Sequence, residues 1–286
     1  MITPEIFNFT TKENIQLQAT LHRAPQHRKD ITIVYFHGGG LLYGVSTDLP
    51  ELYINGFLNA GYDFLALDYP LAPEAKLPLI LQSAFELLSF YLKNFATIFG
   101  LKNYSYVLLG RSAGAYICFM MCARFAKNKA LLPQAIISLY GYARLDEPTF
   151  SNPSKHYKKL ATIPDESIKK MISDEPVTYG PMNLRFGLYI KARQEGTWIQ
   201  QLCGTDDPQK YSLDDDVLQT FPPTILAAAT LDPDVPYRIS KALSKRIPNA
   251  QLITLYEEVH DFDRDIHHAA GKSTYKEIVH WLNATI

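Results

Sequence analysis

Short, unbroken apolar runs recur along this chain, with segments of helical periodicity between them; ITIVYF at 31–36 and TILAAA at 224–229 are the plainest of the runs. A strand that is apolar at every position must be buried on both faces, as in a parallel sheet with helices on either side. Strands are expected at 15–22, 31–36, 63–68, 105–110, 135–140, 224–229 and 251–256, and helices at 49–60, 79–99, 113–127, 236–246 and 273–283. Alternation of this kind predicts an α/β fold with a mostly parallel central sheet flanked by helices. The rhythm fails between 146 and 222, where several prolines and two helical patterns, at 165–173 and 183–194, replace the strands. Compact domains rarely hold a structureless loop that long. The stretch 146–222 therefore reads as a helical cap inserted into a domain built from 1–145 and 223–286.

Charge and cysteine usage narrow the function. The 28 Lys and Arg against 29 Asp and Glu give a net charge of −1 without basic or acidic blocks. That speaks against nucleic acid or an anionic membrane surface as partner. The apolar runs are too short to span a bilayer, and no secretory signal is visible at the amino end, so a cytoplasmic location is expected. Three cysteines, Cys118, Cys122 and Cys203, are too few for a disulfide framework and have no spacing that completes a metal site; they read as core thiols.

Four short segments carry chemistry. Gly110-Arg111-Ser112-Ala113-Gly114 follows the run SYVLLG and opens a helical pattern. A Gly-x-Ser-x-Gly between strand and helix puts the serine on a sharp turn where its hydroxyl is exposed, and the helix start favours developing negative charge. His37-Gly38-Gly39-Gly40 follows ITIVYF. Consecutive glycines let backbone N–H groups face a ligand; in acyl transfer Gly38 and Gly39, with Ala113, would hold an oxyanion. A phosphate loop is the competing reading, but no Gly-Lys-Ser/Thr follows and Tyr43 stands where a dinucleotide fingerprint needs glycine. His37 itself is expected to orient the loop.

The third segment, Leu231-Asp232-Pro233-Asp234-Val235-Pro236, ends the run at 224–229. An acid there can fix the tautomer of a histidine and stabilise its cation; the alternative for either aspartate is to cap the helix beginning near Pro236. Asp232 is assigned the first task and Asp234 the second. The fourth is His260, in a loop after the last strand, with the exposed-looking His267 and His268 close behind. The order Ser112, Asp232, His260 is the one expected for a hydrolase of this architecture.

With these residues in view, the sequence resembles the hormone-sensitive-lipase-like branch of the α/β-hydrolases, bacterial esterases marked by an HGGG motif. The matching residues are His37–Gly40, Leu67-Asp68-Tyr69-Pro70-Leu71-Ala72-Pro73-Glu74, Gly110–Gly114, Asp232-Pro233, and His260 with Phe262. The resemblance implies an α/β-hydrolase fold and a carboxylesterase with Ser112 as nucleophile, His260 as base and acid, and Asp232 as orienting acid. It further implies oxyanion donors at Gly38, Gly39 and Ala113, and no metal or organic cofactor. The partner implied is a small-molecule ester, short-chain by preference, with a homodimer compatible. Carbohydrate esters, aryl-formamides and a purely binding role on the same fold are the alternatives.

The chain departs from the branch at three points. Arg111 replaces the usual acid before the nucleophile, and either alters the local field or pairs with a carboxylate. Pro70 replaces an Arg, so whatever that Arg anchors is changed. The glycine motif begins at residue 37, leaving 146–222 to form most of the lid and predicting a more open acyl site. Within that stretch Tyr157, Tyr179, Phe186, Tyr189 and Trp198 are candidates for cap core or for an aromatic wall.

Overall fold

The computed structural model describes residues 3–126 and 128–286. Its sheet comprises β1 (Glu5–Thr10), β2 (Gln16–His22), β3 (Thr32–Phe36), β4 (Asp63–Leu67), β5 (Tyr106–Arg111), β6 (Ala135–Leu139), β7 (Thr224–Ala229) and β8 (Ala250–Leu255). They lie in the order β1-β2-β4-β3-β5-β6-β7-β8. β1 and β2 run antiparallel to their neighbours, and β4, β3, β5, β6, β7 and β8 are parallel. The five central strands β3 to β7 are buried at every position, as their unbroken apolar runs require.

Alternate side chains feed two cores. Val34, Phe36, Leu65, Leu67, Leu108 and Leu226 face one; Ile33, Tyr35, Phe64, Val107, Leu109 and Ile225 face the other. The principal helices are α1 (Glu51–Asn59), α2 (Leu77–Asn94) and α3 (Ala113–Phe125), then α4 (Pro148–Ser151), α5 (Asp165–Met171), α6 (Met182–Glu195), α7 (Trp198–Cys203) and α8 (Asp215–Leu218), then α9 (Tyr237–Arg246) and α10 (Ala269–Thr285). The first core takes the apolar faces of α2, α3 and α9, the second those of α1 and α10.

Seven of the strands fall where the apolar runs predict them, and the helices lie within a few residues of expectation. β1 was not expected. Only Phe7 and Phe9 of this edge strand turn inward, against Phe99 (4.5 Å between ring centroids) and Phe90 (5.0 Å), so it lacks the continuous apolar signature. α2 stops at Asn94, before the expected 99; the Asn94 side chain donates to Phe90 O and the chain then turns. The expected end of the third helix, Lys127, lies outside the described residues.

Residues 146–222 carry α4 to α8 and add no strand to the sheet among the described residues. Leu188, Tyr189, Trp198, Ile199, Leu202 and Phe221 from this segment join the first core. Arg185 of α6 fastens the segment to the loops above the sheet. Its guanidinium donates to both oxygens of Glu74 (2.8 and 2.7 Å) and to the carbonyls of Leu42, Ala72 and Met171. In the LDYPLAPE stretch, where Pro70 stands in place of an Arg, Glu74 is thus held by a cation from α6.

Candidate active site

β5 ends at Arg111, and Ser112 turns the chain into α3 with φ 53° and ψ −117°. A non-glycine residue is rarely found there, and holding it costs about 1–3 kcal/mol. The elbow survives because its surroundings fix it: Ser112 N–H donates to Leu139 O at 2.8 Å, and Gly114 lets the strand and helix approach. A Cβ on Gly114 would stand 2.0 Å from Phe36 O. The hydroxyl that results lies at the amino end of a 13-residue helix.

The structure brings the three residues singled out in sequence into one hydrogen-bonded chain. Ser112 Oγ lies 3.0 Å from His260 Nε2, and His260 Nδ1 lies 2.7 Å from Asp232 Oδ2. Asp232 presents its other oxygen to the N–H groups of Asp234 (2.8 Å) and Val235 (2.9 Å), which leaves Oδ2 aimed at the imidazole. Burial works against a charged His260. The charge and hydrogen bond of Asp232, then the charges of Asp234 and Asp261, outweigh it and push its pKa up to about 9. His267 and His268 stand exposed before α10.

The glycine run lies beside the serine, Gly38, Gly39 and Gly40 sharing a cavity with Ser112 and His260. Gly39 has φ +95°, and a Cβ there would collide with Tyr43 O at 1.9 Å, so the turn needs glycine. Three groups hold the run. Tyr69 OH donates to His37 O (2.8 Å) and Gly38 O (3.1 Å). The His37 ring stacks on Tyr69 with Nδ1 2.8 Å from Gly38 O, and Trp198 Nε1 donates to Gly40 O at 2.9 Å. Burial holds the His37 pKa below the usual imidazole range. Ala113, the first residue of α3, is buried under the serine.

Arg111 pairs with carboxylates, the second of the two roles open to it. Its buried guanidinium donates to Tyr140 OH (2.8 Å), Asp48 (3.1 Å) and Asp263 (3.0 Å). Asp263 is fully buried and also accepts from Tyr140 OH (2.6 Å) and Tyr275 OH (2.7 Å). Asp263 lies three positions after His260, so this network joins the serine elbow to the histidine loop. Asp48 and Asp263 escaped sequence reasoning because they meet Arg111 across 63 and 152 residues.

Asp234 corrects an expectation. It does not cap α9, which begins after Pro236 without a side-chain cap. It is buried instead against residues 146–222, accepting from Tyr157 OH (3.1 Å) and Tyr189 OH (2.9 and 3.0 Å), with Arg193 at 3.2 Å. Three tertiary donors outcompete a local helix end. Of the five candidate wall aromatics, Tyr157, Phe186 and Tyr189 line the cavity, Trp198 is buried behind it, and Tyr179 is exposed.

The cavity holds about 370 Å³, at the lower end of the range for small-molecule sites. Among the described residues no cluster of three or more His, Cys, Asp or Glu side chains is arranged to hold a metal ion, and no helix is long and apolar enough to cross a membrane.

A family described as having the alpha/beta hydrolase fold matches residues 33–264. Human hormone-sensitive lipase is 31% identical over 130 residues, which are 45% of this chain and 12% of that protein. Among solved structures, a Staphylococcus aureus protein of unknown function superposes with a TM-score of 0.88 at 28% identity, covering 98% of this chain and 99% of the other. An alpha/beta hydrolase superfamily protein from Enterococcus faecalis gives 0.83 at 30% identity, covering 97% and 98%.

Proposed function

This chain belongs to the α/β-hydrolase fold family, in its hormone-sensitive-lipase-like branch, and on that premise we propose that it is a serine-dependent carboxylic ester hydrolase. The observation that carries the proposal is the continuous chain from Ser112 Oγ through His260 to Asp232, with links of 3.0 and 2.7 Å. Ser112 is the nucleophile. Neutral His260 takes its proton as Oγ attacks the ester carbonyl, and Asp232 holds the imidazole in the tautomer with Nδ1 protonated and stabilises the cation that forms.

The tetrahedral oxyanion is placed on the N–H groups of Gly38, Gly39 and Ala113. Collapse expels the alcohol, which takes the proton from His260 and leaves an acyl group on Ser112. Water, deprotonated by the same imidazole, then releases the acid. In this reading residues 146–222 are the cap. Phe186, Tyr157, Tyr189 and Leu160 bound a cavity of about 370 Å³, which favours short acyl groups.

Hydrolysis of nitrophenyl esters from acetate to dodecanoate, by wild type and Ser112→Ala, tests the proposal. Turnover that peaks at short chains and disappears in the variant is expected. Near-wild-type turnover by Ser112→Ala would remove the serine from the mechanism, and no ester turnover by a folded wild type would remove the substrate class.

A further inference from the structure

Asp234 is the buried carboxylate of this site that the acyl-transfer scheme does not use. Its Oδ2 stands 3.9 Å from His260 Nε2, the nitrogen that faces the serine, whereas Asp232 occupies the opposite edge of the ring. At 3.9 Å the carboxylate attracts a charged imidazole without making a hydrogen bond to it. What keeps it there comes from the insertion: the hydroxyls of Tyr157 and Tyr189 and the guanidinium of Arg193, which also donates to Asp234 O at 3.2 Å.

The other groups around the imidazole do not duplicate this. Asp261, on the histidine's own loop, is paired with Arg264 at 2.6 Å. The Tyr140 ring packs at 4.7 Å from that of His260, but its hydroxyl is committed to Asp263. Asp232 is directed at Nδ1 by two backbone N–H groups, one of them that of Asp234.

Resting on the esterase reading and deepening it, we propose that Asp234 is a positioning residue: a second carboxylate that stabilises the imidazole cation from its Nε2 side. Tyr157 and Tyr189 hold it back, so that it does not displace Ser112 from that nitrogen. The seating of the insertion is thereby coupled to the charge and alignment of His260. A donor set from the insertion, closed around an acid of the main body beside the reacting nitrogen, does for the imidazole what packing alone would not.

The test is an NMR titration of the His260 ring, which needs no substrate. In Asp234→Asn the donors keep an acceptor of the same shape while the charge is lost. The titration midpoint is expected to fall by roughly one pH unit, the size of effect an opposite charge within about 4–6 Å exerts. If the wild type turns over esters, kcat on its alkaline plateau should fall on the order of ten-fold, the equivalent of one such unit, with KM little changed.

The Tyr157→Phe, Tyr189→Phe double variant should move the midpoint the other way. Freed from its phenols, Asp234 closes on the charged nitrogen, raising the midpoint and drawing His260 from Ser112. Opposite shifts support the proposal. An unmoved midpoint in both variants, or shifts of the same sign, overturns it. Because the titration reads His260 directly, failure of ester turnover in the wild type would overturn the esterase reading and leave this measurement decisive on its own.

Discussion

Replacing Arg111 with Met removes the cation that pairs with both Asp48 and Asp263 and keeps most of its volume. Asp48 has solvent to turn to, its side chain being 30% exposed, but Asp263 is at 0%. Breaking a buried ion pair from one side typically costs about 3–5 kcal/mol, because the remaining charge is left uncompensated. Tyr140 and Tyr275 still donate to Asp263, which places the expected loss toward the lower half of that range. With about 2.1 cal/mol/K of unfolding entropy per residue over 286 residues, the unfolding entropy is about 0.6 kcal/mol/K. The melting temperature should then fall by about 5–7 °C.

Differential scanning calorimetry of Arg111→Met, Asp263→Asn and the double variant supplies the assay. Removing both charges leaves no uncompensated buried carboxylate, Asp48 having solvent to turn to, so the double variant should recover much of the loss, with a coupling energy of at least about 1 kcal/mol. A single variant within about 1 °C of wild type, or strictly additive losses, would refute the reasoning that Arg111 binds the serine elbow to the histidine loop.

Three other outcomes follow from the geometry of the site. The base must be neutral to accept the Ser112 proton, and the His260 pKa is pushed up to about 9; kcat/KM for a neutral ester should therefore rise with pH from 7 through that value, and an acid limb with its midpoint below pH 7 would contradict it. The same raised pKa gives folding stability that is fully present below the ordinary imidazole value of about 6.5 and is lost as pH climbs through 9, visible as a falling melting temperature over that window. Gly39→Ala forces a Cβ onto Tyr43 O and rotates the N–H groups assigned to the oxyanion, so kcat should drop by about 10²–10³-fold; retention of more than a tenth of wild-type kcat by a folded variant would show that the oxyanion is held elsewhere.

The parts of this molecule that were legible in sequence are those whose cause is local. A strand buried on both faces announces itself as an unbroken apolar run, and Ser112 and Asp232 each follow such a run, whereas His260 follows the half-buried edge strand β8. β1 was illegible for the converse reason, because an edge strand that turns two phenylalanines inward has only a faint period of two. The weak clue was Phe7 and Phe9, alternating ahead of the turn at Asn14, which has φ 61°.

The roles of Arg111, Asp48 and Asp263 depend on contacts made across the whole chain, which spacing does not encode. Asp234 shows the same limit from the other side. Its sequence neighbours offered a helix end to cap, and three side chains from 77, 45 and 41 residues away took it instead. Trp198 and Arg185, which pin the glycine run and the LDYPLAPE turn, were likewise visible only as an aromatic and a charge until their carbonyl partners were in place.

Covalent labelling tests the central claim most directly. A fluorophosphonate reacts with a serine that a neighbouring base has activated and leaves a stable adduct that mass spectrometry can map. The account predicts a single phosphonyl group per chain, located on Ser112, with esterase activity lost in proportion to labelling and no adduct on folded Ser112→Ala or His260→Ala. An unlabelled wild type, or an adduct on another residue that tracks the loss of activity, would contradict it.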